Sequence, residues 1–410
     1  MNSRVAMCTI AAGALGVTGV AGCGSKGEAE NSAASGDTLT IGAAVSLTGK
    51  LAREGTLTQE GYKLCVDKVN AKGGVKVGDK SLKLALDYQD DTSLPDTAAQ
   101  LVDQFNDKGM KLVLGSYGSA NTEAQAAVIE RNGQVMVDSS GADDKIFDKG
   151  YTRTFAVLSP ASEYAASIVK AINELATPAP KSYAFVSADD GFSKTAADGG
   201  VKAAKGLGLT VTGPELFPNG ATDVSSALNK VKGAKPEVII GSVHLAEGVA
   251  IVKQSKELNI QVDGIGETVA PPTPDFVTTL GKQAEGVLGS SQWTKAVKGS
   301  DDYFGDSATY DADIQKAFGH TAGYHNAEAS AACLTYVLAI EKAGSVEPDK
   351  VRDALAGLDV QTFFGQIKFD PTGKNLTKPM VVMQIQGGKP VTVWPKDTAE
   401  GELVWPGTSS

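Results

Sequence analysis

Short apolar strands alternate with helical stretches along most of the chain, and they form two separate series. The first series runs from residue 39 to 137 and the second from 161 to 265. Segment 82–88 alternates apolar with polar or small residues, as a strand does, whereas apolar residues in 60–70 recur every three or four positions, as in a helix. Such alternation implies parallel sheets covered by helices on both faces. The predicted fold class is therefore α/β, with two doubly wound lobes.

The predicted elements follow the same order in both series. In the first they are strands 39–45, 82–88, 111–114 and 134–137 and helices 60–70 and 122–131. In the second they are helices 161–175, 194–206, 224–232 and 246–258 and strands 182–187, 209–212, 237–241 and 261–265. Two such sheets place the expected binding site in the crevice beyond the carboxyl ends of their strands, where loops of both lobes converge.

The remaining segment, from residue 290 onward, is too short for a third domain of the same kind. It contains an Asp-rich loop, a long helix, a short helix and two strands, at 301–306, 326–343, 351–355, 363–369 and 380–386. We interpret it as returning first to one lobe and then to the other, which gives a hinge with several crossings. The predicted first lobe is 38–158 plus 291–362, and the second is 159–290 plus 363–405.

The N-terminus has the pattern of a targeting segment. Arg4 precedes an uncharged stretch rich in Ala, Gly and Val, which is followed by Val20-Ala21-Gly22-Cys23. These four residues resemble the bacterial lipobox, whose cysteine is lipidated and becomes the mature N-terminus. The sequence thus predicts a lipoprotein signal peptide at 1–22, and lipidated Cys23 with a flexible tether at 23–37. An ordinary secretory signal with a chance cysteine is the alternative.

Four cysteines reduce to two in the mature protein. Cys8 leaves with the signal peptide and Cys23 carries lipid, so Cys65 and Cys333 remain in an oxidising compartment. Both lie in predicted helices of the first lobe. Two outcomes stay open, a long-range disulfide or two buried free thiols.

Charge and motifs exclude several classes of function. A net charge of −10 and a pI near 5.0 would repel nucleic acid, and no dense basic cluster offsets this. The three histidines form no metal-binding pattern, and the chain carries no nucleophile elbow or phosphate loop. The acidic pairs Asp90-Asp91 and Asp189-Asp190 follow strands and are better explained by turns or ligand contact. The sequence therefore predicts neither an enzyme nor a cofactor nor a metal site.

Binding signals are stronger and lie after strands. The small, hydroxyl-rich loop 115–122 opens a helix whose free N–H groups suit a ligand carboxylate, although simple N-capping explains the pattern equally well. A similar loop, 138–143, follows the next strand. In the second lobe, Glu267 stands at the end of a strand, where it is either an acceptor for a ligand ammonium or a solvated surface residue.

The chain resembles the leucine/isoleucine/valine-binding protein family, the receptor component of branched-chain amino acid ABC importers. The resemblance covers nearly all of residues 38–390. The order and spacing of its pieces are specific even though each is weak alone. They are Ile41-Gly42, Leu47-Thr48-Gly49, Gly55, Gly61, 66–75, Asp90-Asp91, 115–122, Ala188-Asp189-Asp190, 220–224, Lys235-Pro236-Glu237-Val238 and Phe369-Asp370-Pro371-Thr372-Gly373.

The resemblance implies a type I periplasmic binding fold whose lobes close on a ligand like a hinged clamp. It also assigns residues to the pocket. The family's positions that hold the ligand carboxylate correspond to the first-lobe residues Ser119, Ala120, Asn121, Ser140 and Ala142. The family's carboxylate that receives the ligand ammonium corresponds to Glu267. The family's aromatic residues that close the pocket correspond to Phe192 and to Val243 or His244. Tyr117 and Tyr324 are further candidates for contact with an apolar side chain of the ligand.

The chain also departs from the family pattern. Ala142 stands where a threonine hydroxyl is common, Val243 or His244 replaces a usual tyrosine, and the family's first-lobe disulfide is absent because its positions fall near Ser93 and Gly118. Loss of one hydroxyl bond to a charged carboxylate costs roughly 1.5 to 3 kcal/mol unless another group substitutes. Specificity for leucine is therefore left open.

The predicted function is capture of a branched-chain or related amino acid and its delivery to an ABC permease. The protein is expected to be a monomer, anchored by lipid on the extracytoplasmic face of the cell membrane. Three alternatives remain. They are a receptor of the same fold for amides, urea or aromatic acids, a sensory subunit with a separate signalling partner, and a lipid-anchored hydrolase, for which no catalytic set is assembled.

Overall fold

The structure, a computed structural model, describes residues 34–407, and most of its strands form two seven-stranded sheets, while the others form two small two-stranded sheets. Parallel pairs dominate both sheets, so the predicted α/β class with two doubly wound lobes is confirmed. The predicted signal peptide 1–22, the lipidation site Cys23 and the tether up to residue 33 lie outside the described residues. No helix within 34–407 is long and apolar enough to span a membrane.

The first sheet belongs to the first lobe and has the strand order β3-β4-β2-β5-β6-β7, with β1 beside β2. Its strands are β1 (Ala34–Ser35), β2 (Thr38–Val45), β3 (Val75–Val77), β4 (Lys80–Asp90), β5 (Leu112–Leu114), β6 (Val135–Asp138) and β7 (Thr154–Ala156). Its helices are α1 (Ala52–Ala71), α2 (Pro95–Asp107), α3 (Ser119–Asn132) and α4 (Asp144–Phe147). β1 occupies the end of the predicted tether, and α2, which begins at a proline suited to a first helical turn, was not predicted.

The second sheet has the order β18-β17-β12-β11-β10-β8-β9. The second series supplies its strands β8 (Ser182–Ala188), β9 (Thr210–Phe217), β10 (Val238–Ser242) and β11 (Gly264–Glu267), and β12 (Leu288–Ser291), which was not predicted, follows them. Its helices are α5 (Ser162–Leu175), α6 (Gly191–Gly206), α7 (Ser225–Lys232), α8 (Leu245–Glu257) and α9 (Asp275–Leu280), followed by a 3₁₀ turn at Gly281–Ala284.

After β12 the chain returns to the first lobe. The returning elements are β13 (Ser300–Asp301), β14 (Gly305–Asp306), α10 (Ser307–Phe318), α11 (Tyr324–Ala343), α12 (Pro348–Ala356), β15 (Asp359–Thr362) and β16 (Gly365–Lys368). The chain then crosses back and adds β17 (Val381–Gln386) and β18 (Lys389–Trp394) to the second sheet as antiparallel strands. Phe363, Phe364 and Ile367 pack with the core residues of the first lobe, and Lys374 pairs with Ala156 of β7 before the chain reaches β17.

Three segments cross between the lobes, and the side-chain amide of Gln292 joins them. Its Oε1 accepts from the Ser159 N–H (2.9 Å), and its Nε2 donates to the Ser159 carbonyl (2.9 Å). The Ser159 hydroxyl donates to the Lys378 carbonyl (2.7 Å), while Lys378 Nζ donates to Gln292 Oε1 (3.2 Å). All three crossings are therefore bonded to one another in a buried hinge.

Helices α1 and α11 pack closely along a seam of small residues in the first lobe. Ser330 donates its hydroxyl proton to the Gly61 carbonyl (2.7 Å), and the Asn326 amide donates to the Leu57 carbonyl (2.9 Å). Cys65 and Cys333 form a disulfide across the same seam, with their Cα atoms 6.2 Å apart. The seam fixes α11 against the lobe, and α11 carries part of the site described below.

We expect Gly61→Ala to destabilise the protein, because its added Cβ would lie 2.2 Å from the Asn326 carbonyl oxygen and 2.8 Å from the Ala329 methyl. Overpacking of this kind costs about 1–3 kcal/mol. Gly206→Ala, at the end of α6, is the matched control because nothing lies within 4 Å of its added methyl group. Urea unfolding checks both variants, and equal stability of the two would contradict the tight seam.

Candidate functional site

A small cavity lies where the carboxyl ends of the two sheets face each other. Loops that follow β5 and β6 reach it from the first lobe, and loops that follow β8, β10 and β11 reach it from the second. Helices α5 and α11 complete its wall. The lining residues are Tyr117, Gly118, Ser119, Ser140, Tyr164, Phe192, His244, Val269, Tyr324 and Glu328.

The two lobes are closed around this cavity. Polar contacts between them include Arg53 Nε with Asp275 Oδ2 (2.5 Å), the Thr195 hydroxyl, which donates to Asp143 Oδ1 (2.8 Å), and the Tyr117 hydroxyl with His244 Nδ1 (3.3 Å). The free space inside is about 10 Å³, close to what one water molecule needs. A larger molecule can therefore enter only when the lobes separate.

Hydroxyl groups at the start of α3 form one end of the cavity. Gly118, whose φ is +94°, turns the chain into the helix, and Ser119 is the first helical residue. The partial positive charge of a helix N-terminus favours an anion at this end. Ser119 Oγ already accepts the N–H of Asp143 (3.1 Å), and its own hydroxyl proton remains to be donated.

Aromatic rings form most of the remaining wall. Phe192 packs edge-on against Tyr164 with ring centroids 5.1 Å apart, and it lies 5.3 Å from the ring of His244. Tyr117 packs edge-on against His325 at 5.1 Å, and Tyr324 contacts the same histidine at 4.0 Å. The tyrosine and phenylalanine rings are buried and His244 is partly buried, so they supply an apolar surface of fixed shape.

Glu328, on α11, is the carboxylate in the cavity wall. It is 1% exposed, and burial raises its pKa well above the ordinary value, against the opposing hydrogen bond from Ser140. The Ser140 hydroxyl donates to Oε1 (3.0 Å), and His325 Nδ1 lies 3.3 Å from the same oxygen. Oε2 is also buried but has no hydrogen-bond partner among residues 34–407.

Two buried bases lie near Glu328. Burial lowers the pKa of His325 to about 3, which keeps its ring neutral, and contact of Nδ1 with a carboxylate favours the tautomer protonated on that nitrogen. Burial likewise lowers the pKa of Lys378 to about 7, although Glu328 opposes this shift. The ammonium of Lys378 bonds to Gln292 and lies 4.4 Å from the centre of the Phe364 ring.

The structure brings five of the ten predicted ligand-binding residues to the cavity: Tyr117, Ser119, Ser140, Phe192 and His244. Four others lie outside its wall. Ala120 is exposed on α3, and Ala142 is buried where its carbonyl accepts the Ala161 N–H (2.7 Å). Asn121 bonds to Ser46 (3.2 Å) and the Tyr117 carbonyl (3.3 Å), and Val243 packs in the core of the second lobe.

Glu267, the predicted acceptor for an ammonium group, does not line the cavity. It is the last residue of β11 and is fully buried, with Oε2 2.5 Å from where a Cβ on Gly248 of α8 would stand. Neither carboxylate oxygen has a hydrogen-bond partner among the described residues. Burial, followed by the charge of Glu247, raises the pKa of Glu267 well above its ordinary value. Glu267 is therefore not a solvated surface residue.

Sequence reasoning missed Glu328, Tyr164 and Val269. Glu328 nevertheless has a recognisable signal, because it is a lone acid in the run Ala327-Glu328-Ala329-Ser330-Ala331-Ala332 of a helix too apolar to face water. A carboxylate in such a helix is rarely buried without a partner or a function. Tyr164 and Val269 carry no comparable signal in the sequence.

The cavity is not the largest concave feature of the described residues. A groove of about 460 Å³ lies between the loop 271–274, α10 and the second sheet. Its charged side chains include Lys295, which is exposed, and Asp311, which is partly exposed. Residues 34–407 contain no group of three or more side chains suited to hold a metal ion. The smaller cavity is the better candidate for a binding site than the groove, because a buried carboxyl group lines it and loops of both lobes converge on it.

Comparisons with known proteins agree with this geometry. The sequence profile of a periplasmic binding protein family matches residues 38–389. Leu/Ile/Val-binding protein homolog 8 of Brucella abortus is 25% identical over 393 residues, which cover 89% of this chain and 92% of that protein.

Two solved structures are similar to the whole described fold. The leucine-binding protein LivK of Thermotoga maritima has a TM-score of 0.77 and 19% identity, over 87% of this chain and 97% of its own. The substrate-binding protein LivJ of Streptococcus pneumoniae, solved in complex with isoleucine, has a TM-score of 0.75 and 22% identity, over 90% of this chain and 100% of its own.

The buried carboxyl of Glu267 predicts that stability depends on pH. Because the pKa of Glu267 is raised on folding, the folded protein keeps a proton that the unfolded chain releases above about pH 4.5. The wild type should therefore lose stability relative to Glu267→Gln as pH rises from 5 to 8, by up to about 1.4 kcal/mol per pH unit until the folded-state pKa is reached.

Urea unfolding of both proteins at pH 5, 6, 7 and 8 measures this difference. Glu163→Gln, on the exposed face of α5, is the control and should track the wild type. A constant difference between the wild type and Glu267→Gln across this range would show that Glu267 is solvated or paired.

Proposed function

The chain belongs to the periplasmic binding protein family, and from this premise we propose that it captures an amino acid between its lobes and delivers it to an ABC permease. The observation that carries the proposal is the closed cavity between the strand ends of the two lobes. Because the cavity admits a molecule only when the lobes part, it suits capture and release rather than a permanently bound group.

The chemistry of the cavity wall supports an amino acid as the ligand. The start of α3, with Ser119, suits a ligand carboxylate, and the rings of Phe192 and Tyr164 suit an apolar side chain. Glu328 supplies a carboxyl group at the same cavity that can pair with a ligand ammonium. A zwitterion with an apolar side chain matches these three features together. The leucine-binding and isoleucine-bound proteins of similar fold support the same class of ligand.

A receptor for aromatic acids is the second candidate, and the number of rings in the cavity wall favours it. Such a ligand would use the start of α3 and the rings but would leave Glu328 without a cation. Amides or urea would use the polar groups and leave the rings without a partner. The amino acid therefore remains the proposed ligand class, and a sensory role for the same site remains compatible with it.

We also propose that the protein works at the extracytoplasmic face of the cell membrane, as a monomer held by lipid on Cys23. The pattern Val20-Ala21-Gly22-Cys23 and the polar segment after it support this anchor. Acyl chains contribute about 0.8 kcal/mol for each buried methylene group, so a multiply acylated cysteine holds a protein firmly on a membrane. A tethered receptor then stays close to its permease.

We expect one or more apolar amino acids to raise the melting temperature, because a ligand that binds only the folded state stabilises it. A thermal-shift screen should include leucine, isoleucine, valine, phenylalanine, benzoate, acetamide and urea, with calorimetry for each positive compound. At a concentration of 100 times Kd the stabilisation is about 2.7 kcal/mol. A shift with benzoate alone would favour the second candidate, and no shift with any compound would contradict both.

Cys23→Ser should move the protein from the membrane fraction to the soluble extracytoplasmic fraction, because the acyl chains could no longer be attached. Cell fractionation followed by immunoblotting measures the distribution, and a mass measurement of the wild type identifies the lipid. Ser25→Ala, two residues beyond the cysteine, is the matched control and should stay with the membrane. Retention of Cys23→Ser in the membrane fraction would indicate another means of attachment.

A further inference from the structure

We propose that Glu328, on α11 of the first lobe, binds the ammonium group of the ligand and makes the site selective for molecules that carry one. The inference rests on the proposed function as an amino-acid receptor and names the residue that recognises the ligand's positive charge. It replaces Glu267, to which the resemblance assigned this role.

The two oxygens of Glu328 have different surroundings. Oε1 faces two donors, the Ser140 hydroxyl at 3.0 Å and His325 Nδ1 at 3.3 Å. These donors orient the carboxyl group and favour its ionised form. Oε2 has no hydrogen-bond partner among the described residues, although it is buried. A side chain that lines the cavity thus offers one oriented, unused acceptor.

Glu328 has no cationic hydrogen-bond donor among the described residues. His325 is neutral, and Lys378, whose charge opposes the rise in the pKa of Glu328, directs its hydrogen bonds to Gln292 at the hinge. Asp138 lies close enough to add negative charge. A ligand ammonium would supply the missing charge together with hydrogen-bond donors, whereas a ligand carboxylate at this point would be repelled.

The same geometry reassigns Ser140. Its hydroxyl proton points to Glu328 Oε1, so it is not available to a ligand carboxylate as the resemblance implied. The carboxylate of an amino acid is then left to Ser119 and the start of α3. The aromatic rings of the cavity wall also favour a cation, because ring faces attract positive charge.

Glu267 lacks these features. Its carboxylate lies between β11 and α8, beside Gly248, and it does not line the cavity. Both carboxylates are buried and both have an oxygen without a partner, so burial alone does not separate them. Glu328 differs from Glu267 because it lines the cavity and is oriented by two hydrogen-bond donors. The two glutamates therefore form a matched pair for experiment.

The test uses the full chain in a non-ionic detergent and two series of probes. The first series is L-leucine, 3-methylbutylamine, which lacks the carboxylate, and 4-methylpentanoate, which lacks the ammonium. The second is L-phenylalanine, 2-phenylethylamine and 3-phenylpropanoate. Calorimetry gives the affinity of each compound for the wild type, Glu328→Gln, Glu328→Asp and Glu267→Gln.

We expect the wild type to prefer an amino acid to the matching acid. Glu328→Gln should weaken the amino acid and the amine about 30-fold or more, as loss of one partner of a buried ion pair does. It should weaken the acid little or not at all, and Glu328→Asp should recover part of the selectivity. Glu267→Gln should keep the wild-type preference.

A purely structural role for Glu328 would weaken the acid and the amino acid equally, and that result would overturn the inference. So would unchanged amino-acid binding in Glu328→Gln, or loss of selectivity in Glu267→Gln alone, while either result leaves the proposed function standing. If Glu328→Gln fails to fold, Glu328→Asp carries the same comparison between amino acid and acid. Failure of the wild type to bind any of the six probes would overturn both proposals.

Discussion

The side-chain amide of Gln292 fixes the geometry on which the cavity depends. It bonds to both main-chain groups of Ser159 and to Lys378, so three separate crossings between the lobes act as one buried unit. The strand ends of both sheets then face each other across a short gap. Glutamine suits this position because its amide carries both an acceptor and donors and can replace a missing main-chain pairing.

Buried carboxylates set the main electrostatic constraint on the closed lobes. Taking one ionised carboxyl out of water costs several kcal/mol unless a partner compensates, and burial correspondingly raises the pKa of Glu267, Glu328 and Asp138, the last to about 6. Asp138 is held by the N–H groups of Ser140 and Gly141. Within residues 34–407, both oxygens of Glu267 and one oxygen of Glu328 have no hydrogen-bond partner, and of the two residues only Glu328 lines the cavity.

The sequence predicts the two-lobed α/β architecture well, because hydrophobic periodicity directly indicates strands and helices. The direction of a single side chain, by contrast, depends on where a strand ends. Glu267 shows the difference. The strand was expected to end at 265, which would leave Glu267 free in a loop. Instead β11 continues to Glu267, which pairs with Gly241, and two-residue alternation places its side chain on the same face as Ile265, under α8.

Glu328 was missed for a related reason, since a helix that returns from a distant part of the chain brings it to the cavity. Nothing local in the sequence says that α11 packs against α1, and the seam at Gly61 exists only once both helices are in place. Contacts of this kind, more than 250 residues apart in sequence, follow from tertiary packing rather than local pattern. Phe363 and Phe364 likewise complete a core formed by earlier elements, which local pattern does not reveal.

Closure and charge recognition are coupled in the proposed site. While the lobes are apart, water screens Glu328, and an ion pair at about 4 Å contributes only about 1 kcal/mol. Once they close, the effective dielectric falls and the same pair contributes about 4 kcal/mol, while an unpaired carboxylate loses its water without compensation. A ligand that lacks an ammonium therefore disfavours closure itself. On this assignment selectivity arises mainly in the closing step, because closure removes water from Glu328 and leaves a ligand ammonium to compensate its charge.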